Sequence, residues 1–326
     1  MLREQILKLL REKDGFLSGQ EISQQFGVSR TSIWKAIRQL EETGYEIEAV
    51  RNRGYRLLTE PDLLSAERIR QFLHTDWAGG EIRVYDSVDS TNNEAKRAAE
   101  DGAGHGLVLA AEEQTAGKGR RGRAWDSRKG EGIFMTLLLK PEIEPGNASM
   151  LTLVMGMAVR DALKQAAGLD AWIKWPNDIV CDGRKICGIL TEMSAQVDYI
   201  NHIVIGVGIN VHNREFPDGV QEMATSVYRQ TGKAVCRARL AAEVLNCFEP
   251  YYTRYLQTQD LQGLKAIYNE HLINRGRRVR VCDLRTEFTG MAQGINARGE
   301  LLVETEDGLA AVSAGEVSVR GVYGYV

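Results

Sequence analysis

The sequence predicts an α+β protein in three parts: an N-terminal winged helix-turn-helix, a central mixed sheet with helices, and a tail of short strands. Three observations carry that reading. Apolar residues at helical spacing around a turn glycine fill the chain up to about Glu60, apolar strands alternate with helices through the middle, and short alternating runs with glycine turns follow. The expected boundaries are 1–62, 63–273 and 274–326, and a length of 326 residues suits two or three domains.

In the first part, helices are expected over Met1–Arg11, Gln20–Phe26 and Ser29–Glu42, with the chain turning at Gly27. Ser29 is placed to cap the third helix, and Ile33, Ile37 and Leu40 recur at core-facing spacing. Tyr45–Val50 and Tyr55–Leu58 flank the turn Arg51-Asn52-Arg53-Gly54, which makes a β-hairpin wing. In the middle part the candidate strands are Ile82–Tyr85, Leu107–Ala111, Ile133–Leu139, Trp172–Trp175, Ile186–Glu192 and Ile200–Val211. The candidate helices are Asn92–Ala99, Ser149–Ala167, Arg237–Tyr255 and Leu261–Leu272. Tight turns such as Cys181-Asp182-Gly183-Arg184 join strands directly, so a mixed sheet fits better than a doubly wound one. In the tail, turns at Ala297-Arg298-Gly299 and Asp307-Gly308 separate the short strands.

Composition narrows the function classes. A formal net charge of -3 excludes a protein coated in cations, so any nucleic-acid contact has to come from a local patch. The charged, amphipathic start lacks a signal-peptide core and no segment is long and apolar enough to span a bilayer, so a cytoplasmic protein without membrane contact is expected. The five cysteines form no C-x-x-C pair and no metal cluster with the scattered histidines, which reads as reduced, buried thiols and no protein metal site.

The segment Gln114–Trp125, QTAGKGRRGRAW, carries the strongest chemical signal. It sets Gly117, Gly119 and Gly122 among Lys118, Arg120, Arg121 and Arg123. Glycine permits close backbone approach, and cations with exposed amides favour a phosphate or an acyl phosphate. The spacing Gly117-x-Gly119-x-x-Gly122 formally matches a dinucleotide fingerprint, but no helix opens at the last glycine, and no Walker motif is present. By itself such a run is equally a solvated loop.

Taken with Ser90-Thr91-Asn92 before a helix, Lys174-Trp175-Pro176-Asn177-Asp178 and Gly206-Val207-Gly208-Ile209-Asn210, this segment resembles the catalytic core of biotin protein ligases, and the resemblance spans most of the chain. It implies a biotin/lipoate ligase-like central domain, a C-terminal SH3-like β-barrel, and an enzyme that uses ATP and Mg²⁺ to form biotinyl-5′-AMP and then transfers biotin to a lysine of a carrier protein of the acetyl-CoA carboxylase type. Joining a carboxylate to an α-phosphate brings two anions together, which is why cations cluster. The resemblance implies that Ser90, Thr91, Asn92 and Gln114 receive the uncharged ureido ring, where neutral donors and acceptors suit. It implies that Lys118, Gly119 and Arg120 meet biotin and the acyl phosphate, with Lys118 standing where many members have arginine. Arg121 and Arg123 would stabilise the loop or phosphates, and Trp125 would cover the site. Lys174 would meet the α-phosphate, and Asn177 and Asp178 would hold phosphate-bound Mg²⁺ and orient the acceptor lysine, which the Asp178 carboxylate would position or deprotonate. Lys185 would neutralise the biotin carboxylate, Gly188 would let a strand approach the ligand, and Asn210 would lie near adenine and phosphate. Lys174, Arg120 and Asp178 are the expected catalytic residues.

A second activity is expected of the first part. Arg30, Thr31, Ser32 and Lys35 suit groove and phosphate contacts, and Arg51, Arg53 and Arg56 give the wing a positive edge. Ten Lys and Arg against nine Asp and Glu up to Glu60 make a directional patch, not a strong field. Winged helices also serve as protein-interaction modules. Members with this extension resemble a biotin operon repressor, which implies a homodimer promoted by biotinyl-5′-AMP on a palindromic DNA operator. The alternatives are a DNA-binding biotin sensor without transfer activity and a lipoate ligase.

Overall fold

A computed structural model describes residues 2–42, 44–282, 287–314, 318–321 and 325–326, so Met1 of the expected first helix lies outside the described residues. The chain divides into two compact units, Met1–Asp62 and Leu63–Val326.

In the first unit, helices α1 (Leu2–Glu12), α2 (Gly19–Phe26) and α3 (Arg30–Glu42) precede the hairpin β1 (Glu46–Val50) and β2 (Gly54–Thr59). Ile6, Leu10, Ile22, Ile33, Ile37 and Leu40 bury together because they recur on one face of each helix. Ser18 and Glu21 form a reciprocal capping box on α2, and Gly27 ends it at φ 63°. Ser29 caps α3 by accepting from Ser32 N–H. Leu17 exchanges two backbone hydrogen bonds with Tyr55, a third edge of the wing that the sequence did not announce. That contact requires Gly54: its φ is 108° and a Cβ there would lie 2.1 Å from the Leu17 carbonyl oxygen.

The second unit is built on a seven-stranded sheet with the order β3-β4-β5-β9-β8-β7-β6. Its strands are β3 (Ile82–Tyr85), β4 (Val108–Ala111), β5 (Gly132–Leu139), β6 (Trp172–Lys174), β7 (Asp178–Cys181), β8 (Arg184–Ala195) and β9 (Ile200–Asn210). β3 and β4 run parallel and the remaining pairs antiparallel, so the sheet is mixed. The helices are α4 (Ala66–Arg70), α5 (Thr91–Glu100), α6 (Leu151–Ala167), α7 (Val227–Thr231), α8 (Arg237–Thr258) and α9 (Lys265–Glu270).

Strand alternation sorts the two faces. Ile203, Ile205, Val207 and Ile209 of β9 join the core beneath α6 and α8, whereas Val204 packs with Ala95, Ala98 and Ala99 of α5. Gly206 and Gly208 have the parity of Val204, so they fall on the α5 face, where the candidate site lies.

One expected helix is shorter than the sequence pattern suggests. The stretch Leu261–Leu272 is helical only over Lys265–Glu270, because Leu261 N–H is drawn to the Ala297 carbonyl and Leu261 itself is buried. Residues 175–177 form a turn that leads at once into strand β7, whose four residues are all buried.

The last part holds β10 (Arg278–Cys282), β11 (Glu287–Ile295), β12 (Leu301–Thr305), β13 (Gly308–Val312) and β14 (Ser318–Gly321). They form an antiparallel sheet in the order β13-β12-β11-β10-β14, and no β13–β14 pairing closes it into a barrel among the described residues. The fully buried Trp175 ties this part to the large sheet: its backbone N–H donates to Asn274 Oδ1 and its Nε1–H to the Gly299 carbonyl.

A buried ion pair fixes α8 to the sheet. Arg237, 1% exposed, donates through Nη1 and Nη2 to the Glu112 carboxylate at 2.8 and 3.1 Å, and Nη1 also reaches the Gly132 carbonyl. Glu112 Oε1 further accepts from Leu64 N–H. Removing one partner leaves a buried charge uncompensated, at a cost of about 3–5 kcal/mol. Arg237→Met is therefore expected to lower the urea midpoint sharply, and the double variant Arg237→Met/Glu112→Gln to recover part of that loss.

Candidate functional site

A cleft opens on the α5 face of the large sheet. It is lined by Ser90, Thr91, Asn92, Gln114, Lys118, Gly119, Arg120, Trp125, Asn177 and Lys185, with the strand segments Gly188–Leu190 and Gly206–Gly208. One end is neutral and the other cationic.

The neutral end is built at the start of α5. Ser90 is the N-cap residue and is buried, yet its hydroxyl makes no capping bond to the helix. Gln114 Oε1 accepts from Thr91 N–H at 2.8 Å and from Thr91 Oγ1 at 3.1 Å, while its Nε2 donates to Ser127 Oγ. Thr136 Oγ1 lies 2.9 Å from Thr91 Oγ1 and donates to Asn92 Oδ1, and Asn92 Nδ2 donates to Glu192 Oε2 at 2.8 Å and to the Leu190 carbonyl. Each amide is thereby held in one orientation.

The floor exists because two strands carry glycine in register. Gly188 on β8 pairs with Gly208 on β9, and the Trp125 indole lies across both. A Cβ on Gly208 would sit 2.6 Å from the indole and one on Gly188 2.9 Å, while one on Gly206 would sit 2.2 Å from Asn92 Oδ1. Trp125 Nε1–H is buried without a hydrogen-bond partner among the described residues.

The basic segment folds back on itself. Gly119 N–H donates to the Arg123 carbonyl at 2.7 Å and Trp125 N–H to the Gly117 carbonyl at 2.9 Å, around a turn that puts Arg121 at φ 58°. Arg120 points inward: Nη1 donates to Asn177 Oδ1 at 2.9 Å and Nη2 to the Ala314 carbonyl at 3.0 Å. Burial lowers its guanidinium pKa below the ordinary value. Lys118 Nζ reaches outward to Asn93 Oδ1, and Arg121 and Arg123 are exposed.

The cationic end turns on one carboxylate. Strand pairing sets Lys174 opposite Asp178 across β6 and β7, and Asp178 opposite Gly188 across β7 and β8. Lys185 Nζ is 2.6 Å from Asp178 Oδ1, Lys174 Nζ is 3.9 Å from Oδ2, and the Tyr325 hydroxyl donates to Oδ2. The Tyr325 ring centroid lies 3.8 Å from Lys174 Nζ. Burial alone pushes the Asp178 carboxyl pKa up, but the charges of Lys185 and Lys174 and the hydrogen bonds from Lys185 and Tyr325 outweigh it and hold the group below its usual range. Lys174, 5% exposed, is drawn down to about 8 by burial, against the opposing pull of Asp178.

Asn210 is not brought to this cleft. It is buried at the end of β9 and its Nδ2 donates to the Thr225 carbonyl, bracing the segment that follows. Among the described residues no group of three or more His, Cys, Asp and Glu could hold a metal ion, and Cys181, Cys187, Cys236, Cys247 and Cys282 are free thiols. Sequence reasoning missed Thr136, Ser127, Glu192 and Tyr325. The small alternating residues of Gly206-Val207-Gly208 signalled the floor, whereas nothing local marked Tyr325.

In the N-terminal unit, Arg30, Thr31 and Lys35 are exposed on α3, together with Trp34 and Arg38, which the sequence reading passed over. Ser32 is half-buried and its hydroxyl lies 2.9 Å from Ser29 Oγ. Arg51 and Arg53 are exposed at the hairpin turn, with the Arg53 guanidinium 4.3 Å from the Phe16 ring centroid. Arg56 is tied to Glu48 at 2.6 Å, which neutralises part of the expected positive edge.

Three family models match the chain: a biotin/lipoate A/B protein ligase family over residues 84–210, an HTH domain over 2–56 and a biotin protein ligase C-terminal domain over 276–320. The chain is 38% identical over 321 residues to the bifunctional ligase/repressor BirA of Bacillus subtilis, covering 98% of both chains. It is 31% identical to the protein of that name in Escherichia coli, covering 94% of this chain and 93% of that one. The solved biotin protein ligase of Aquifex aeolicus in complex with biotin and ATP superposes with a TM-score of 0.67 at 30% identity, over 74% of this chain and 99% of that chain.

Proposed function

The chain belongs to the biotin protein ligase family, in the branch that carries an N-terminal helix-turn-helix, and from that premise we propose that it is an ATP-dependent biotin protein ligase and a biotin-responsive transcriptional repressor. The observation that carries the ligase reading is the two-ended cleft. A neutral amide and hydroxyl network at one end and Lys174, Lys185 and Arg120 at the other match a ligand with an uncharged ring and an anionic tail.

The biotin ring sits against Ser90, Thr91, Asn92 and Gln114 on the glycine floor, and its carboxylate points to Lys185. A carboxylate oxygen attacks the α-phosphorus of ATP, the bond to the bridging oxygen breaks, and pyrophosphate leaves. Lys174 and Arg120 offset the charge that gathers on the α-phosphate. No acidic cluster among the described residues could hold a metal ion, so Mg²⁺ would come with the ATP phosphates, where Asn177 would help to hold it and the ion would neutralise phosphate charge. Lys118, Gly119, Arg121, Arg123 and Trp125 close over biotinyl-5′-AMP and exclude water, which protects the mixed anhydride. Asn210 acts on the nucleotide end indirectly, through the segment it braces.

The carrier lysine nitrogen then attacks the acyl carbon, the bond to the AMP oxygen breaks, and the amine loses a proton. Asp178 is held ionised by its neighbours, so it positions the incoming amine more readily than it stores a proton. The carrier protein is of the acetyl-CoA carboxylase type. The C-terminal sheet is the SH3-like module of the family, and the protein acts in the cytoplasm. Biotinyl-5′-AMP promotes a homodimer, whose paired winged helices place Arg30, Thr31, Ser32 and Lys35 in the major groove and Arg51 and Arg53 at phosphates.

Incubating the protein with a biotin carrier domain, ATP, Mg²⁺ and biotin is expected to add one biotin mass to the carrier, and lipoate to add none; a gain with lipoate alone would reject the substrate assignment. Lys174 is charged below a pKa of about 8 and neutral above it, so affinity for biotinyl-5′-adenylate is expected to fall as pH rises through that value. Lys174→Arg, which stays charged, should move this loss to higher pH in equilibrium titrations. For DNA, Arg51→Ala is expected to reduce the slope of log K against log salt concentration by about one, as loss of one phosphate contact does.

A further inference from the structure

The groups that the chemistry needs most are already engaged by the last part of the chain. The Tyr325 hydroxyl donates to Asp178 Oδ2, and the face of its ring covers Lys174 Nζ at 3.8 Å. Arg120 Nη2 donates to the Ala314 carbonyl at 3.0 Å. Ala314 and Tyr325 flank β14, so a single stretch of chain reaches three residues of the cationic end. Val326 lies against the β7–β8 turn, where a Cβ on Gly183 would meet its Cγ2 at 3.3 Å.

These contacts have the chemistry of the ligands they exclude. A phenol O–H donating to Asp178 makes the bond that an acceptor ammonium N–H would make. An aromatic face over Lys174 satisfies the ammonium with π-electron density where a phosphate oxygen would have to come. An ammonium covered on that side cannot also contact phosphate there.

We propose that Tyr325 is a built-in competitor of the adenylate and the acceptor lysine: it packs on Lys174 and Asp178 where those ligands would come, and is displaced when biotinyl-5′-AMP binds. This rests on the ligase reading above. Each ligand then binds against the free energy of ejecting the side chain, which lowers its apparent affinity. The device also keeps a buried Lys–Asp pair satisfied while the site is empty.

Equilibrium binding of biotinyl-5′-adenylate to the full chain tests it. Tyr325→Ala removes both contacts and is expected to bind on the order of thirtyfold more tightly than the unaltered protein, given a cation–π contact and a hydrogen bond to a charged group. Tyr325→Phe keeps the ring over Lys174 and loses only the bond to Asp178. It is expected to gain about tenfold, and it carries the test alone if the alanine variant does not fold. Equal or weaker binding by the folded variants would make Tyr325 part of the loaded site or a structural residue, and would overturn the proposal while leaving the ligase reading intact. Failure of the unaltered chain to bind the adenylate would overturn both.

Discussion

The cationic end of the cleft depends on Asp178. Two lysines within 4 Å of one carboxylate give a buried cluster with a net positive charge, and that surplus makes the cleft an anion site. Without the carboxylate, Lys174 and Lys185 would repel across a space that burial has already made unfavourable for charge, and Lys174, drawn down to about 8 even with Asp178 present, would discharge at still lower pH. Asp178 thus keeps a nearly enclosed ammonium charged at neutral pH. The sheet fixes this arrangement: β6, β7 and β8 are consecutive antiparallel strands, so pairing holds Lys174 opposite Asp178 and sets the β7–β8 turn that brings Lys185 back.

The neutral end follows from a different constraint, the close approach of a helix start to a sheet. Gly206 admits the Asn92 amide, and Gly188 and Gly208 admit an indole, in places where any side chain would collide. The amide of Asn92 is then oriented by Glu192, Leu190 and Thr136, and that of Gln114 by Thr91 and Ser127. Such a surface changes little on binding an uncharged polar ring, so less free energy goes to reorganisation. The two ends differ in kind: one is preorganised by dipoles, the other by compensated charge.

Much of this was legible in the sequence because the signals are local. The 3.6-residue period of Ile33, Ile37 and Leu40, the apolar runs of β5 and β9 and the Asp182-Gly183 turn each report on neighbours a few residues away. The run Lys174–Asp178 placed two of the charged groups for the same reason. What escaped was set by partners distant in sequence. Tyr325 is 147 residues from Asp178, and no periodicity marks a single aromatic residue as a contact of a buried carboxylate. The expected helix at Leu261 was overridden by a backbone bond to Ala297. Asn210, placed near the nucleotide by resemblance to the family, has a side chain that donates to the Thr225 carbonyl, a contact that no local pattern announces. Arg56 read as a free cation until cross-strand pairing set it beside Glu48.

The charge balance of the N-terminal unit bears on how two activities share one chain. Ten cations against nine anions, with Arg56 and Arg11 tied to Glu48 and Glu60, leave few basic groups for phosphates. Because each neutralised phosphate contributes to affinity and its salt dependence, a near-neutral unit gains less from phosphates than a strongly basic one does. Two such units held together gain effective concentration without any new contact, so occupancy of an operator becomes a steep function of pairing. A strongly basic winged helix would bind without a partner and report nothing about biotin. Under the homodimer proposed above, near-neutrality of this unit would leave occupancy of DNA to the pairing of two chains.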